Sequence, residues 1–225
     1  MTFILTNDDG INAEGINALQ KIITEPLTIV APNRQYSGCA HQVTVRKPIV
    51  VEQKEENAYS VDGTPADCVR LAIKELCPQG KWILSGINAG GNLGLDIYMS
   101  GTVGAVREAA VHGLSAIAFS QVIKYPSPIN WDWTMANTKR VLDLLLSKEL
   151  DRGCFWNVNL PPLDDYQAKP EIIFCSPSID PLPVKYLKEG DAYRYCGGYH
   201  ERKVTNGTDV DVCFSGNIAV SMISL

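Results

Sequence analysis

Short apolar runs alternate with helix-like segments through the first 160 residues of this 225-residue chain. The runs at residues 3–5, 27–31 and 82–84 are too short for helices and are apolar throughout, which is typical of strands buried on both faces. The segment 133–150 instead repeats apolar side chains at helical spacing. Strands that alternate with helices predict an α/β fold, in which a doubly wound, mostly parallel sheet carries helices on both faces.

The pattern changes after residue 160, where proline and glycine become frequent. Apolar runs at 172–174, 210–214 and 218–223 contain alternating residues, which predicts strands in antiparallel hairpins. We therefore predict a main domain formed by residues 1–160 and a β-hairpin extension formed by residues 161–225.

Charge and cysteine usage exclude several classes of partner. The net charge of −5 and the lack of a basic run argue against a nucleic-acid duplex. No apolar stretch approaches the ~20 residues that span a membrane, and the N-terminus lacks the pattern of a signal peptide. The seven cysteines are scattered and never spaced C-x-x-C, which is typical of reduced thiols. We therefore expect a cytoplasmic protein that binds neither duplex nucleic acid nor membrane.

Oxygen-bearing side chains follow three of the predicted strands. Asp8 and Asp9 come directly after the first strand, the loop 34–38 follows the second, and a glycine-rich stretch at 85–94 follows the strand that begins at Trp82. Ligands of open α/β sheets bind at the carboxyl ends of the strands. An Asx turn alone would explain the two carboxylates. Together, however, carboxylate, hydroxyl and amide oxygens form a ligand set that suits Mg²⁺ or Mn²⁺, whose charge offsets the carboxylate repulsion.

A phosphate site is predicted beside these carboxylates. The glycines within 85–94 allow the backbone to approach a ligand closely, and consecutive amides in such loops can surround an anion. Ser100-Gly101-Thr102 then opens a helix, whose free N–H groups and dipole favour a phosphate. The stretch is neither a Walker loop nor the dinucleotide fingerprint. Tight turns would explain one such loop, but three loops at strand ends favour a binding site.

The motifs of the chain, taken in order, resemble those of the survival protein SurE family. Any one of them could arise by chance, whereas the ordered set is highly specific and covers nearly the whole chain. The matching motifs are Thr6-Asn7-Asp8-Asp9-Gly10, Ala31-Pro32 with Ser37-Gly38, Gly63-Thr64-Pro65-Ala66-Asp67-Cys68, Ser85-Gly86-Ile87-Asn88-Ala89-Gly90, Asn92-Leu93-Gly94, Ser100-Gly101-Thr102-Val103, Asn157-Val158-Asn159-Leu160-Pro161 and Val220-Ser221-Met222-Ile223.

This resemblance implies a metal-dependent phosphomonoesterase that hydrolyses nucleoside 5′- and 3′-monophosphates and, in some members, polyphosphate. It implies a Rossmann-like catalytic domain and a C-terminal hairpin region that forms homodimer or homotetramer contacts. By position, the ligands of a divalent metal ion, Mg²⁺ or Mn²⁺, would be Asp8, Asp9, Ser37 and Asn88. The phosphate-binding residues would be Asn92, Ser100, Gly101 and Thr102.

Asp8 and Asp9 are the candidate catalytic residues for metal-assisted hydrolysis. Either carboxylate could take the proton of the attacking water while the phosphate-binding residues stabilise the phosphoryl oxygens. A nucleophilic Asp8 that passes through an aspartyl-phosphate is an open alternative. Phosphatases of the haloacid-dehalogenase type need Asp-x-Asp rather than adjacent carboxylates, so that class is not favoured.

Three features depart from the family pattern. Asn33 stands where the family usually has Asp, and Tyr36 stands where it often has a basic residue. Loss of a cation near the phosphate would weaken substrate binding, although the Tyr36 ring could stack on a base. The chain also ends at Leu225, before the helical segment with which the family usually continues. These departures keep a second function open, namely a non-catalytic or degenerate protein that binds nucleotide or phosphate.

Overall fold

A computed structural model describes residues 1–124, 126–162 and 169–225 of the chain. It contains eleven strands and five α-helices within these ranges. The strands are β1 (Phe3–Thr6), β2 (Leu27–Pro32), β3 (Val51–Glu55), β4 (Ala58–Val61), β5 (Trp82–Ala89), β6 (Ser115–Gln121), β7 (Cys154–Leu160), β8 (Ile172–Phe174), β9 (Tyr186–Glu189), β10 (Ala192–Tyr195) and β11 (Ile218–Ser224). The helices are α1 (Glu14–Lys21), α2 (Pro65–Leu71), α3 (Gly101–Val111), α4 (Trp131–Leu146) and α5 (Asp209–Phe214).

Nine strands form one sheet in the order β3-β4-β2-β1-β5-β6-β7-β11-β8. All neighbours from β4 through β7 are parallel, and β3 is antiparallel at one edge. The chain builds outward from β1 through β2 to β4, and then returns to the other side of β1 with β5, β6 and β7. The strand order therefore reverses between β1 and β5, which is where open α/β sheets bind ligands. The predicted doubly wound, mostly parallel α/β fold is confirmed.

Helices cover both faces of the sheet. α1 and α4 pack on one face against Phe3 and Leu5, while α2 and α3 pack on the other face against Ile4 and Ile83. Consecutive strand residues point to opposite faces, so a strand buried on both faces must be apolar throughout. Fully burying one such side chain contributes about 1.5–3 kcal/mol.

The helix ends follow the signals in the sequence. At the start of α2, the hydroxyl of Thr64 accepts a hydrogen bond from the N–H of Asp67 at 3.2 Å, and the Asp67 carboxylate accepts one from the N–H of Thr64 at 3.0 Å. These two bonds form a capping box, with Pro65 as the first helical residue. Gly113 follows α3 with a φ of +78°, which is typical of a glycine just past the C-terminal end of a helix. None of the helices in the described ranges has the length and apolar character needed to cross a membrane.

The chain after residue 160 contributes to the same sheet. β11 pairs antiparallel with β7 but parallel with β8, so the strands predicted at 172–174 and 218–223 do not form an antiparallel hairpin with each other. The antiparallel hairpin predicted for the C-terminal extension is present, but β9 and β10 form it. The predicted strand at 210–214 is wrong, because Asp209–Phe214 is α5 and buries Val210 and Cys213 at helical spacing. The predicted division at residue 160 stays a prediction, and residues 163–168 of the extension lie outside the described residues.

Gly15 allows α1 to pack directly on β5. A Cβ atom at this position would lie 1.8 Å from the carbonyl oxygen of Ile87, so any side chain forces the helix away from the sheet. We expect Gly15→Ala to lower the free energy of unfolding by about 1–3 kcal/mol, as overpacking does, in denaturant titrations. Asn17→Ala, at an exposed position of the same helix, is the control and should change it by less than about 0.5 kcal/mol. Equal stability of Gly15→Ala and the unmodified protein would contradict this packing.

Candidate functional site

A cleft of about 290 Å³ opens where the strand order reverses, at the carboxyl ends of β1 and β5. Thr6 at the end of β1 lies beside Ser85 in β5, so the loops that follow these strands are neighbours. The predicted site residues that line the cleft are Asp8, Asp9, Ser37, Asn88, Asn92 and Ser100. The two remaining predicted residues, Gly101 and Thr102, begin α3 and contact Asp8.

Asp8 is buried, with only 4% of its surface exposed. The hydroxyl of Thr102 donates a hydrogen bond to its Oδ1 atom. Gly101 lies so close that a Cβ atom there would be 2.9 Å from the Asp8 Oδ2 atom. Burial raises the pKa of Asp8 to about 6, because the hydrogen bond from Thr102 opposes this effect only in part and the neighbouring charge of Asp9 adds to it. The Thr102 side chain thus positions Asp8, and its role in phosphate binding stays a prediction.

Gln35 connects Asp9 to Ser37. Its Nε2 atom donates to Ser37 Oγ at 2.8 Å and to Asp9 Oδ1 at 3.3 Å. The N–H of Ala89 lies 3.4 Å from the other carboxylate oxygen of Asp9. Loops that follow β1, β2 and β5 are therefore joined around Asp9. This role of Gln35 was not predictable from the sequence, because an amide in a polar loop has no distinguishing pattern.

The donors in the cleft fit a hard divalent cation. Asp8 and Asp9 offer carboxylate oxygens, Ser37 offers a hydroxyl, and Asn88 offers its Oδ1 atom while its Nδ2 atom donates to the Gly90 carbonyl at 2.8 Å. In the part of the chain that the structure describes, no group of three or more His, Cys, Asp or Glu side chains could hold a metal. A cation in this cleft would therefore have a mixed set of oxygen ligands, which suits Mg²⁺ or Mn²⁺ better than zinc.

The backbone at Asn92 is held by side chains from β7. The Asn92 N–H donates to Asn159 Oδ1 at 2.8 Å, and the Asn92 carbonyl accepts from the side-chain amides of Asn157 at 2.9 Å and Asn159 at 3.1 Å. The Asn92 side chain donates to Ser120 Oγ at 2.8 Å. The motif at 157–161 therefore supports the glycine-rich loop, a role that the sequence did not indicate.

Two charged side chains from the C-terminal region hold the continuation of this loop. Asp209 accepts hydrogen bonds from the N–H groups of Gly94 at 2.7 Å and Ser178 at 2.8 Å. The guanidinium of Arg202, 4% exposed, pairs with Asp96 at 2.8 Å and also donates to the Leu93 carbonyl at 3.2 Å. Because Asp96 lines the cleft, the C-terminal region helps to shape the site.

The N-terminus of α3 meets the cleft at Ser100. The Ser100 hydroxyl accepts a hydrogen bond from the N–H of Val103 at 3.1 Å and so caps the helix. The first N–H groups of a helix have no partner within it, and with the helix dipole they favour an anion at this end. Ser100 and Gly101 lie at this end of α3, and their role in phosphate binding stays a prediction.

Glu108 is a buried carboxylate at the centre of an ionic cluster, whose other members are partly exposed and which supports the loop after β2. It lies in the last turn of α3 and is 2% exposed. Its carboxylate contacts His41 at 2.7 Å, Arg70 at 2.5 Å and His112 at 2.9 Å. Burial alone would raise the pKa of Glu108, but the hydrogen bonds from His41, Arg70 and His112 and the charge of Arg70 outweigh burial and lower it to about 2. His41 thereby fixes the loop that carries Ser37.

Two other side chains of this loop have structural roles. Cys39 lies next to Gly101, and burial followed by the charge of Asp8 raises the pKa of its thiol to about 11. The thiol therefore stays protonated at neutral pH and is a poor nucleophile. Tyr36 stands where a basic residue was expected, and the Arg34 guanidinium lies 5.1 Å from the centre of its ring.

These features define an α/β protein with a polar, carboxylate-lined cleft at the switch point of its sheet. Residues 3–178 match the sequence model of the family described as survival protein SurE. A protein of Synechocystis sp. is 50% identical over 223 residues, which cover 99% of this chain and 99% of that protein. The protein named 5′-nucleotidase SurE of Paramagnetospirillum magneticum is 34% identical over 236 residues, with 98% of this chain and 88% of that protein covered.

A solved structure agrees with the sequence comparisons. The crystal structure of the SurE protein from Aquifex aeolicus superposes with a TM-score of 0.89 at 30% sequence identity, and the match covers 100% of this chain and 93% of that one. The chain therefore belongs to the survival protein SurE family, as the resemblance of its motifs implied.

The Glu108 cluster predicts a pH-dependent stability. Because the pKa of Glu108 in the folded protein lies near 2, below the ordinary value of 4.5, its stabilisation is complete above about pH 4.5 and is lost as the pH falls towards 2. We expect Glu108→Gln to lower the free energy of unfolding by about 1–2 kcal/mol at pH 7, since the partners are partly exposed to solvent, and by roughly half as much near pH 3. Denaturant titrations at both pH values measure this.

The exposed Glu149 on the surface provides the matched control for this substitution. Glu149→Gln should leave the stability at pH 7 within about 0.5 kcal/mol of the unmodified protein. A Glu108→Gln protein with the same stability deficit at pH 7 and pH 3 would show that the ionised carboxylate does not stabilise the fold.

Proposed function

We propose that this chain is a divalent-metal-dependent 5′-nucleotidase that hydrolyses nucleoside 5′- and 3′-monophosphates to nucleoside and phosphate. The observation that carries the proposal is the convergence of Asp8, Asp9, Asn92 and Ser100 on one cleft, beside the N-terminus of α3. The family supports it as well, since relatives from Paramagnetospirillum magneticum and Allorhizobium ampelinum, both 34% identical, are named 5′-nucleotidase SurE.

The metal ligands in this proposal are Asp8, Asp9, Ser37 and Asn88, with Mg²⁺ or Mn²⁺ as the ion. A divalent ion there supplies positive charge that polarises the phosphoryl group and lowers the pKa of a water molecule. The protein supplies the arrangement of the ligands. Thr102 fixes Asp8, and Gln35 fixes Asp9 together with Ser37, so the oxygen ligands are positioned before the ion binds.

The substrate phosphate would lie between the two carboxylates and the start of α3. The side chains of Asn92 and Ser100 line this space, and the positive end of the α3 dipole, at Gly101, favours its negative charge. Asp8 or Asp9 accepts the proton of the attacking water in this proposal. A nucleophilic Asp8 is the alternative, and the trapping of a phospho-enzyme distinguishes the two.

Location and further substrates are also proposals. A cytoplasmic location is supported by the seven cysteines, all of which are free thiols in the structure. Polyphosphate is a second substrate class to assay, since it presents the same phosphoryl group to the cleft.

The hairpin formed by β9 and β10 is our proposed contact region for a homodimer or homotetramer. It belongs to the extension at 161–225 and is exposed along both of its strands. The paired residues Tyr186 and Tyr195, and also Tyr193, lie on one face of the hairpin, with exposed fractions of 60%, 47% and 65%. Tyrosines are enriched in protein interfaces, where the ring packs and the hydroxyl stays polar.

The activity is tested by phosphate release from nucleoside 5′- and 3′-monophosphates with Mg²⁺ or Mn²⁺, and then with a chelator. We expect release that the chelator abolishes. Asp8→Asn removes a charged ligand and one candidate base, so it should lower kcat/KM at least 100-fold while the fold is retained. Asp143→Asn, the same change at an exposed position of α4, should not alter the rate.

Two outcomes would contradict this proposal. Substantial turnover by Asp8→Asn would contradict the proposed role of Asp8 as a metal ligand and candidate base. No release with either metal, in a protein that still binds nucleotide, would instead identify a non-catalytic nucleotide-binding protein.

The oligomer proposal is tested by light scattering after size-exclusion chromatography. We expect Tyr193→Lys to convert a dimer or tetramer into smaller species, because it introduces a charge into the tyrosine face. Leu187→Lys changes the opposite face of the same hairpin and should leave the mass unchanged. A monomeric unmodified protein, or equal effects of both substitutions, would argue against the tyrosine face as the contact.

A further inference from the structure

A second cleft of about 440 Å³ lies next to the first. It is lined by Ala89, Gly90, Gly91, Ile123, Tyr199 and His200. Its volume is within the range of about 300–1,000 Å³ that small-molecule sites occupy. The function described so far uses none of the side chains of Ile123, Tyr199 or His200. Tyr199 and His200 lie in a short helical turn beside this cleft.

The two clefts are adjacent. Ala89 lines both of them, and Gly90 and Gly91 lie between Asn88 and Asn92 of the first cleft. Tyr199 and His200 form an aromatic wall of the second cleft. The absence of a side chain at Gly91 lets the loop approach this wall closely, since a Cβ atom there would lie 2.5 Å from the Tyr199 hydroxyl. A molecule whose phosphate occupies the first cleft can therefore extend over the glycines into the second.

The aromatic wall of the second cleft is held in place. The centres of the Tyr199 and His200 rings are 5.7 Å apart, and His200 lies 5.3 Å from Phe214. The Arg202 guanidinium lies 4.9 Å from the centre of the Tyr199 ring and also pairs with Asp96, which lines the first cleft. His200 Nε2 lies 3.2 Å from the Ile123 carbonyl oxygen. The wall is thus preorganised relative to the phosphate cleft.

The lining of the second cleft selects the chemistry of its ligand. Of the described residues that line it, none is Asp, Glu, Lys or Arg, and its rings and Ile123 present mostly apolar surface. A second phosphate group or a polyphosphate chain would lack a cation there. A neutral heterocyclic ring fits, because bases stack on aromatic side chains with little dependence on sequence.

We infer that this cleft binds the nucleoside part of a nucleoside monophosphate, with the base against the wall formed by Tyr199 and His200 and the ribose over Gly90 and Gly91. The inference rests on the proposed nucleotidase function and adds the part of the site that distinguishes a nucleotide from other phosphomonoesters.

The test compares kcat/KM for adenosine 5′-monophosphate with kcat/KM for methyl phosphate. We expect His200→Ala to lower the ratio of the two values at least fivefold, through a higher KM for the nucleotide. His200 is exposed, so the substitution should not disturb folding. His200→Phe keeps an aromatic ring and should preserve the ratio. The control is Met222→Ala. Met222 is exposed in β11, where it pairs with Trp156 of β7, and its substitution should leave both values unchanged.

A ratio for His200→Ala within twofold of that of the unmodified protein would overturn the inference. If the unmodified protein hydrolyses neither substrate, the proposed function fails, and calorimetric titration with adenosine 5′-monophosphate then tests the cleft alone. Binding that His200→Ala weakens at least fivefold would support the nucleoside cleft. Equal affinities, or no binding by the unmodified protein, would refute it.

Discussion

The burial of one carboxylate at the end of β1 is the constraint on which the rest of the site depends. Asp8 is almost fully covered and lies beside a second acidic residue, so the fold must provide it with partners. Thr102 can donate its hydroxyl only because Gly101, without a side chain, brings the start of α3 against Asp8. The same close approach places Ser100 and the positive end of the α3 dipole at the cleft. The partners of Asp8 and the phosphate-binding elements are therefore positioned by one contact.

The second half of the cleft depends on residues far away in the chain. The loop that carries Asn92 is held by Asn159 in β7, by Asp209 at the start of α5 and by Arg202 through Asp96. Each is a buried polar contact, and the loss of one partner leaves the other unpaired at a cost of about 1–3 kcal/mol. The glycine-rich loop is flexible by composition, and these long-range contacts fix it in one conformation.

The sequence was sufficient to predict most of the strands and helices. It also predicted which edge of the sheet carries the site. Strand burial appears directly as apolar periodicity, and the alternation of strands with helices brings the loops at 8–9, 34–38 and 85–94 together. The partners of those loops were not predictable, because nothing local relates Asp209 to Gly94 or Glu108 to His41 across such separations. Helix α5 was mistaken for a strand because Val210, Val212 and Phe214 alternate over a segment too short to separate the two periods.

The pairing of β7 with β11 also has a consequence for the solubility of the protein. β7 is buried along most of its length, and without β11 its backbone donors and acceptors would form an open edge beside apolar residues such as Phe155 and Val158. Exposed edges of this kind are templates on which other chains add strands and aggregate. A fragment that stops at Leu160 would thus self-associate, and its loop at Asn92 would be held less firmly. The C-terminal residues cover the edge of β7 and prevent other chains from adding strands to it.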